Sequence, residues 1–152
     1  MLSIQLNWFD AKLEDEILGF VFDPVSGQFT AQNADQESKR QGAEISVQGQ
    51  LNKLSWRAQY SYLDATEGNA VELRRSKHSG SVSTSYVVNE QHQFYIQADY
   101  SGTKFDRFFP PYPLPSEVVS LKSRWLVSVN YTYNYSESLA ANLRISNIFD
   151  EE

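Results

Sequence analysis

A chain of 152 residues with 41% hydrophobic side chains is long enough for one folding unit and too apolar for obligate disorder. A formal net charge of -6 sets aside nucleic acid as a main partner, because nothing here would neutralise a phosphate backbone, and the absence of cysteine removes disulfides, thiolate metal sites and cysteine nucleophiles together. With a mean hydropathy of -0.49 and no apolar run longer than Ile17 to Phe22, the chain contains no transmembrane helix and no secretory apolar segment.

Period-two alternation holds over seven segments of roughly eleven residues, and helical spacing of apolar residues is hard to find anywhere. The pattern predicts strands at 2–12, 41–51, 53–63, 78–88, 92–102, 124–134 and 138–148, with a shorter hairpin at 17–22 and 28–33. The turn of that hairpin is Asp23-Pro24-Val25-Ser26-Gly27, where Pro24 presets φ and Gly27 permits a positive one. One parity of the long strands reads Leu2, Ile4, Leu6, Trp8, then Ala43, Ile45, Val47, Gly49, Leu51, then Leu54, Trp56, Ala58, Tyr60, Tyr62. It continues through Val82, Tyr86, Phe94, Ile96, Ala98, Tyr100, Trp125, Val127, Val129, Tyr131, Tyr133, Leu139, Leu143 and Ile145, with no charge on it. The other parity is Ser, Gln and Asn with a few charges and no lysine; Tyr95, Leu126 and Ala140 are its exceptions.

Alternation alone leaves open whether the apolar face meets protein or lipid. A polar face without lysine resembles a lumen more than a solvated surface, and eleven residues at a tilt of about 45° cross roughly 25 Å, the height of an outer-membrane apolar band. The connections 51–53, 89–91 and 134–137 are tight while 13–40, 64–77 and 103–123 are long, the asymmetry of periplasmic turns and extracellular loops. Aromatics of the apolar parity gather at both strand ends: Trp8, Tyr60, Tyr62, Tyr100 and Trp125 near the long loops, Trp56, Tyr86, Phe94, Tyr131 and Tyr133 near the short turns. The expected architecture is all-β, an antiparallel transmembrane β-barrel segment. An odd count of strands cannot close as a bacterial single-chain barrel, so the segment is expected to be incomplete.

Five stretches carry a resemblance. They are Asn33 followed by Lys39-Arg40-Gln41-Gly42-Ala43-Glu44; Tyr60-Ser61-Tyr62-Leu63-Asp64-Ala65; Leu73-Arg74-Arg75-Ser76-Lys77-His78; Tyr100-Ser101-Gly102-Thr103-Lys104-Phe105-Asp106; and Asn142-Leu143-Arg144-Ile145-Ser146-Asn147-Ile148-Phe149-Asp150. In this order and spacing the chain resembles the C-terminal part of the barrel of TonB-dependent outer-membrane receptors, the vitamin B12 and siderophore branch above all. Ser76 stands where that family commonly has proline. The resemblance implies that residues 1–152 are a partial barrel domain of seven strands out of about 22, with the plug domain, the TonB box and the last strand absent. It further implies a Gram-negative outer membrane as location, outer-membrane lipid and a metal-chelate ligand as partners, and the TonB complex reached through the absent plug. No enzyme activity and no cofactor follow from it. Two other readings stay open on the residues themselves, a small outer-membrane barrel with an adhesin or structural role and a soluble β-sandwich binding module.

Catalysis by serine and histidine fails on placement, because His78 and His92 fall at opposite strand ends, roughly 25 Å apart, on the parity away from the lumen. The acidic stretch Glu14-Asp15-Glu16 with Asp23 offers hard oxygen ligands but no calcium-loop spacing, so no metal site is assigned and a solvated acidic loop is expected. Glu44, Arg57, Asp99, Arg124 and Arg144 are candidates for facing the lumen or a plug; the competing role is cross-strand pairing that keeps the interior wet. Phe105, Phe108, Phe109 and Tyr112, stiffened by Pro110, Pro111, Pro113 and Pro115, are candidate ligand contacts in an extracellular loop, with packing among loops as the alternative.

Overall fold

The structure, a computed structural model, describes residues 1–151. In chain order its strands are β1 (Leu2–Leu13), β2 (Ile17–Asp23), β3 (Gln28–Asn33), β4 (Ser38–Leu51), β5 (Leu54–Glu67), β6 (Ala70–Val71), β7 (His78–Val87), β8 (His92–Ser101), β9 (Lys104–Phe108), β10 (Glu117–Leu121), β11 (Arg124–Ser136) and β12 (Leu139–Ile145), with no helix among the described residues. Seven of them form an antiparallel meander in the order β1-β4-β5-β7-β8-β11-β12, to which β6 adds a short pairing on β5. The pairs β2–β3 and β9–β10 stand as separate hairpins. The sheet is open, an unclosed portion of a barrel wall, with β1 and β12 at its two edges.

The seven predicted long strands are all present. β4 and β5 run further towards the long loops than alternation showed, because beyond Ala43 and Tyr62 the pairing continues while the chemistry of the two faces exchanges. Below that level the outward parity is apolar. Above it the same parity carries Asp10, Lys12, Lys39, Gln41, Asp64 and Thr66, while the inward parity turns to Phe9, Leu63 and Ala65. β12 stops at Ile145, short of the predicted 148, because Asn147 takes a left-handed φ of 51 and its side chain closes a turn with the backbone of Glu151.

Register makes the faces continuous. Ile4, Val47, Ala58, Val82, Ala98 and Val127 form one outward row across successive strands, and Ser3, Gln48, Arg57, Ser83, Gln97 and Ser128 form the inward row beside it. Since side chains alternate with a period of two, a slip of one residue would exchange every member of these rows. The outward face has no second layer: Leu6 is 75% exposed, Trp8 71% and Leu143 62%, and Ala65 is the one buried apolar residue among those described. Leaving such side chains in water costs about 1.5–3 kcal/mol each relative to burial, so a sheet of this kind requires an apolar medium against that face.

The height of the apolar face fits a membrane. From Leu54 to Tyr62 the outward residues of β5 pass from one aromatic belt to the other, which at about 3.3 Å per residue and a tilt of about 40° is about 20 Å. In the belt near the long loops Tyr100 packs on Trp125, with ring centroids 4.9 Å apart. In the opposite belt Phe94 packs on Tyr131 at 5.0 Å. Each histidine is absorbed into a belt, His78 Nδ1 lying 2.6 Å from the Tyr60 hydroxyl and His92 Nδ1 2.7 Å from that of Tyr131. A glycine is required at 49, where a Cβ would stand 2.7 Å from Cζ2 of the cross-strand partner Trp56, whose ring lies over the bare backbone.

A charge placed on the outward row therefore meets hydrocarbon, whereas the same charge on the inward row meets water. Val127→Arg or Leu143→Arg is expected to destabilise the barrel containing this chain by about 2–4 kcal/mol near the midplane, and Ser83→Arg or Gln97→Arg by much less, when unfolding is followed in bilayers. Equal losses on the two parities would contradict the assignment of faces.

Candidate functional site

The inward wall is built from short polar side chains that hydrogen-bond one another. Gln59 Nε2 donates to Ser81 Oγ at 2.9 Å, Gln93 Nε2 to Ser85 Oγ at 2.9 Å, and Thr132 Oγ1 to Asn142 Oδ1 at 2.7 Å. All five charged wall candidates lie on this parity, spread over five strands. Glu44 accepts from Asn7 Nδ2 at 3.3 Å; Arg57 donates twice to Gln48 Oε1, at 3.1 and 2.6 Å; Asp99 accepts both carboxylate bonds from Gln97 Nε2 at 2.9 Å. Among the described residues none of the five, Arg124 and Arg144 included, is in a salt bridge. The structure thus spaces them apart along a neutral wall. A polar trough runs along it past Gln5, Asn7, Glu44, Gln59 and Asp99.

Tyr95 looks like an exception to the polar parity only if its ring is counted. Its hydroxyl donates to Gln97 Oε1 at 2.9 Å, so Tyr95, Gln97 and Asp99 form a ladder along one strand. A phenol with an apolar body and a polar tip suits a wall of this kind, and that chemistry was the available signal.

At the long-loop end three excursions leave the wall: residues 14–37, carrying the β2–β3 hairpin, residues 68–77, and residues 102–123, carrying β9 and β10. The first hairpin turns at Gly27, with φ 70, and Asp23 accepts from the backbone N–H groups of Val25 and Ser26 at 2.9 and 3.2 Å. Two carboxylates of the acidic stretch, Glu14 and Glu16, are engaged with cations. Lys12 Nζ reaches Glu14 at 2.8 Å and Glu37 at 2.7 Å, and Arg40 Nη2 reaches Glu16 at 2.9 Å. Hydrogen bonds from Lys12 hold the Glu14 carboxyl below its ordinary range.

Arg40 is the hub of the excursions. Besides Glu16 it binds Glu72 through Nε at 2.8 Å, and Glu72 also accepts from Arg75 Nε at 2.8 Å. Burial works against the charge on Glu72, but the guanidinium bonds of Arg40 and Arg75 outweigh it and hold the carboxyl below its ordinary 4.5. Alternation could not reveal this cluster, since its members are separated by up to dozens of residues and meet only through the register of β4 on β5.

The predicted aromatic loop is a hairpin: β9 and β10 pair from Phe108 opposite Glu117 down to Lys104 opposite Leu121, and the four prolines lie in its tip. Phe105 and Phe108 are exposed, Phe109 is 69% exposed and Tyr112 97%. The two strands contact no other strand. The geometry therefore brings the four candidate ligand contacts together on one protruding element, while the wall charges lie on the strands of the main sheet.

The chain matches the family described as TonB dependent receptor-like, beta-barrel over residues 1–148. It belongs to that family. The vitamin B12 transporter BtuB of Photobacterium profundum is 30% identical over 129 residues, 84% of this chain and 20% of that protein. Among solved structures, the ferripyoverdine receptor of the outer membrane of Pseudomonas aeruginosa, bound to ferripyoverdine, superposes with a TM-score of 0.75 at 19% identity, over 99% of this chain and 21% of that one. The siderophore receptor PirA of Acinetobacter baumannii superposes with a TM-score of 0.77 at 16% identity, over 99% of this chain and 26% of that one. These two likenesses speak to the fold. The chain spans about a fifth to a quarter of the length of the relatives it matches.

The three excursions leave the same end of the sheet, and the Arg40 cluster ties the first to the second. A carboxyl whose folded pKa is depressed contributes order that is present above its unfolded pKa and lost as the pH falls through the folded one. Order in residues 68–77 should therefore hold at neutral pH and fade as the pH drops below the ordinary 4.5 of Glu72. A spin label at Asn69→Cys should gain mobility over that range, and in a Glu72→Gln background it should already be more mobile at neutral pH and change less on acidification. A label insensitive to both changes would contradict the tie.

Proposed function

We propose that this chain is part of the wall and mouth of an outer-membrane receptor that captures a scarce metal chelate, a ferric siderophore or cobalamin, and passes it through the barrel with energy delivered by TonB through a plug domain. Residues 1–152 act as a partial barrel domain in that longer receptor, located in the outer membrane of a Gram-negative bacterium. One observation carries the reading: the same strands present an uncovered apolar face between two aromatic belts and a predominantly polar wall behind it. A wall of neutral hydrogen-bonding side chains lets a hydrated cargo or a mobile plug pass without fixing it by strong charge pairs. Family membership and relatives described as a B12 transporter and siderophore receptors support the same class. The work of the chain is binding and passage.

In this reading Phe105, Phe108, Phe109 and Tyr112 meet the ligand at the mouth, and Glu44, Arg57, Asp99, Arg124 and Arg144 face the plug. Large aromatic side chains held out in water by a proline-stiffened tip give contact area at low entropic cost. Deleting residues 105–115 from the whole receptor should lower chelate uptake by at least about thirtyfold, the cost of one aromatic anchor, and leave the barrel folded by heat-modifiability on gels. Unchanged uptake from a folded barrel would remove the ligand-contact role.

A further inference from the structure

Besides its two legs, one hydrogen-bonded tie among the described residues holds the aromatic hairpin to the rest of the molecule. Among the described residues, Arg74 alone hydrogen-bonds to the stretch 104–121 from outside it: its backbone N–H donates to the Phe105 carbonyl oxygen at 2.7 Å and its Nε donates to Asp106 Oδ1 at 2.7 Å. Arg74 adopts a left-handed φ of 65 to do so, a conformation that a long side chain takes only where its surroundings demand it. The platform under Arg74 is firm on both sides. Before it, Glu72 donates its backbone N–H to Ala65 at 3.0 Å and its carboxylate accepts from Arg40 and Arg75. After it, Ser76 Oγ donates to the Gly102 carbonyl oxygen at 2.8 Å, and Gly102 N–H donates to the His78 carbonyl oxygen at 2.8 Å.

We infer that Arg74 is a positioning residue that clamps β9 through Phe105 and Asp106 and so fixes the angle at which the aromatic hairpin stands over the mouth. The clamp joins two of the sequence motifs, Leu73-Arg74-Arg75-Ser76-Lys77-His78 and Tyr100-Ser101-Gly102-Thr103-Lys104-Phe105-Asp106, at their charged members. The backbone bond sets the height of the contact and the ion pair sets its rotation, because a guanidinium nitrogen and a carboxylate are directional where a point charge is not. Hairpin strands without any other strand contact pivot about their legs once this tie is gone. That the clamp matters for capture rests on the proposed role of Phe105, Phe108, Phe109 and Tyr112; that it exists does not.

The test uses the whole receptor in bilayers with spin labels at Leu114→Cys, in the hairpin tip, and Gln41→Cys, on β4. Arg74→Gln and Asp106→Asn should each widen the distance distribution, raising the displaced population by up to about fivefold, the scale of an exposed ion pair. The exchanged pair Arg74→Asp with Asp106→Arg should narrow it again, which a merely structural loss at either position would not do. An unaltered distribution in both single variants overturns the clamp, whatever the 105–115 deletion does to uptake. A displaced hairpin that the exchange restores upholds it. If uptake then stays unchanged, the clamp stands and the ligand-contact role of the aromatics falls.

Discussion

A backbone amide left unpaired in hydrocarbon costs several kcal/mol, and that penalty governs the whole structure. Strands can meet it only by pairing laterally, residue for residue, which is what β1, β4, β5, β7, β8 and β11 do across the apolar face, with β12 pairing β11 from Val129 to Ser136. Lateral pairing fixes register, register fixes parity, and parity sends Ile4, Val47, Ala58, Val82, Ala98 and Val127 to one side and Ser3, Gln48, Arg57, Ser83, Gln97 and Ser128 to the other. The molecule has almost no interior in the ordinary sense, and its order comes from the ladder and from the medium on each face.

The same constraint explains where polarity changes hands. Above Trp8, Ala43 and Tyr62 water replaces lipid, and the outward parity at once admits Asp10, Lys12, Lys39 and Asp64, while Phe9 and Leu63 turn inward. Freed of the apolar medium, charges take over from hydrophobic packing as the organising contacts. Glu16, Arg40, Glu72 and Arg75 link the first two excursions, and Arg74 with Asp106 links the second to the third. These pairs are partly exposed, so each is weak in isolation. Their effect is geometric: they choose one arrangement of loops among many of similar energy.

Much of this was legible in the residues because the membrane imposes a regular code. Period two, belts of Trp and Tyr, and alternating short and long connections read directly onto seven strands, and the turn at Asp23 to Gly27 was read from Pro24 and Gly27. Less legible was the stretch 103–123. Four prolines and four aromatics mask the alternation of Lys104–Phe108 and Glu117–Leu121, two strands too short to show a period, and they pair across the proline-rich tip. The extension of β4 and β5 was hidden because the faces exchange chemistry in mid-strand. The Arg40 cluster and the Arg74 clamp could not be read at all, since they depend on which loops the register brings side by side. The five wall charges share one parity in the sheet, as alternation implied, yet their spacing from one another appears only there.

The account stands or falls on the two faces of a single strand. In the whole receptor refolded into bilayers, spin labels introduced one at a time from 54 to 62 report collision with molecular oxygen, which concentrates in lipid, and with a water-soluble nickel chelate. Labels at Leu54, Trp56, Ala58 and Tyr60 should favour oxygen, and labels at Ser55, Arg57, Gln59 and Ser61 should favour nickel, alternating without a break along β5. Nickel access at both parities, or oxygen preference without alternation, would contradict a strand with lipid on one side and an aqueous lumen on the other.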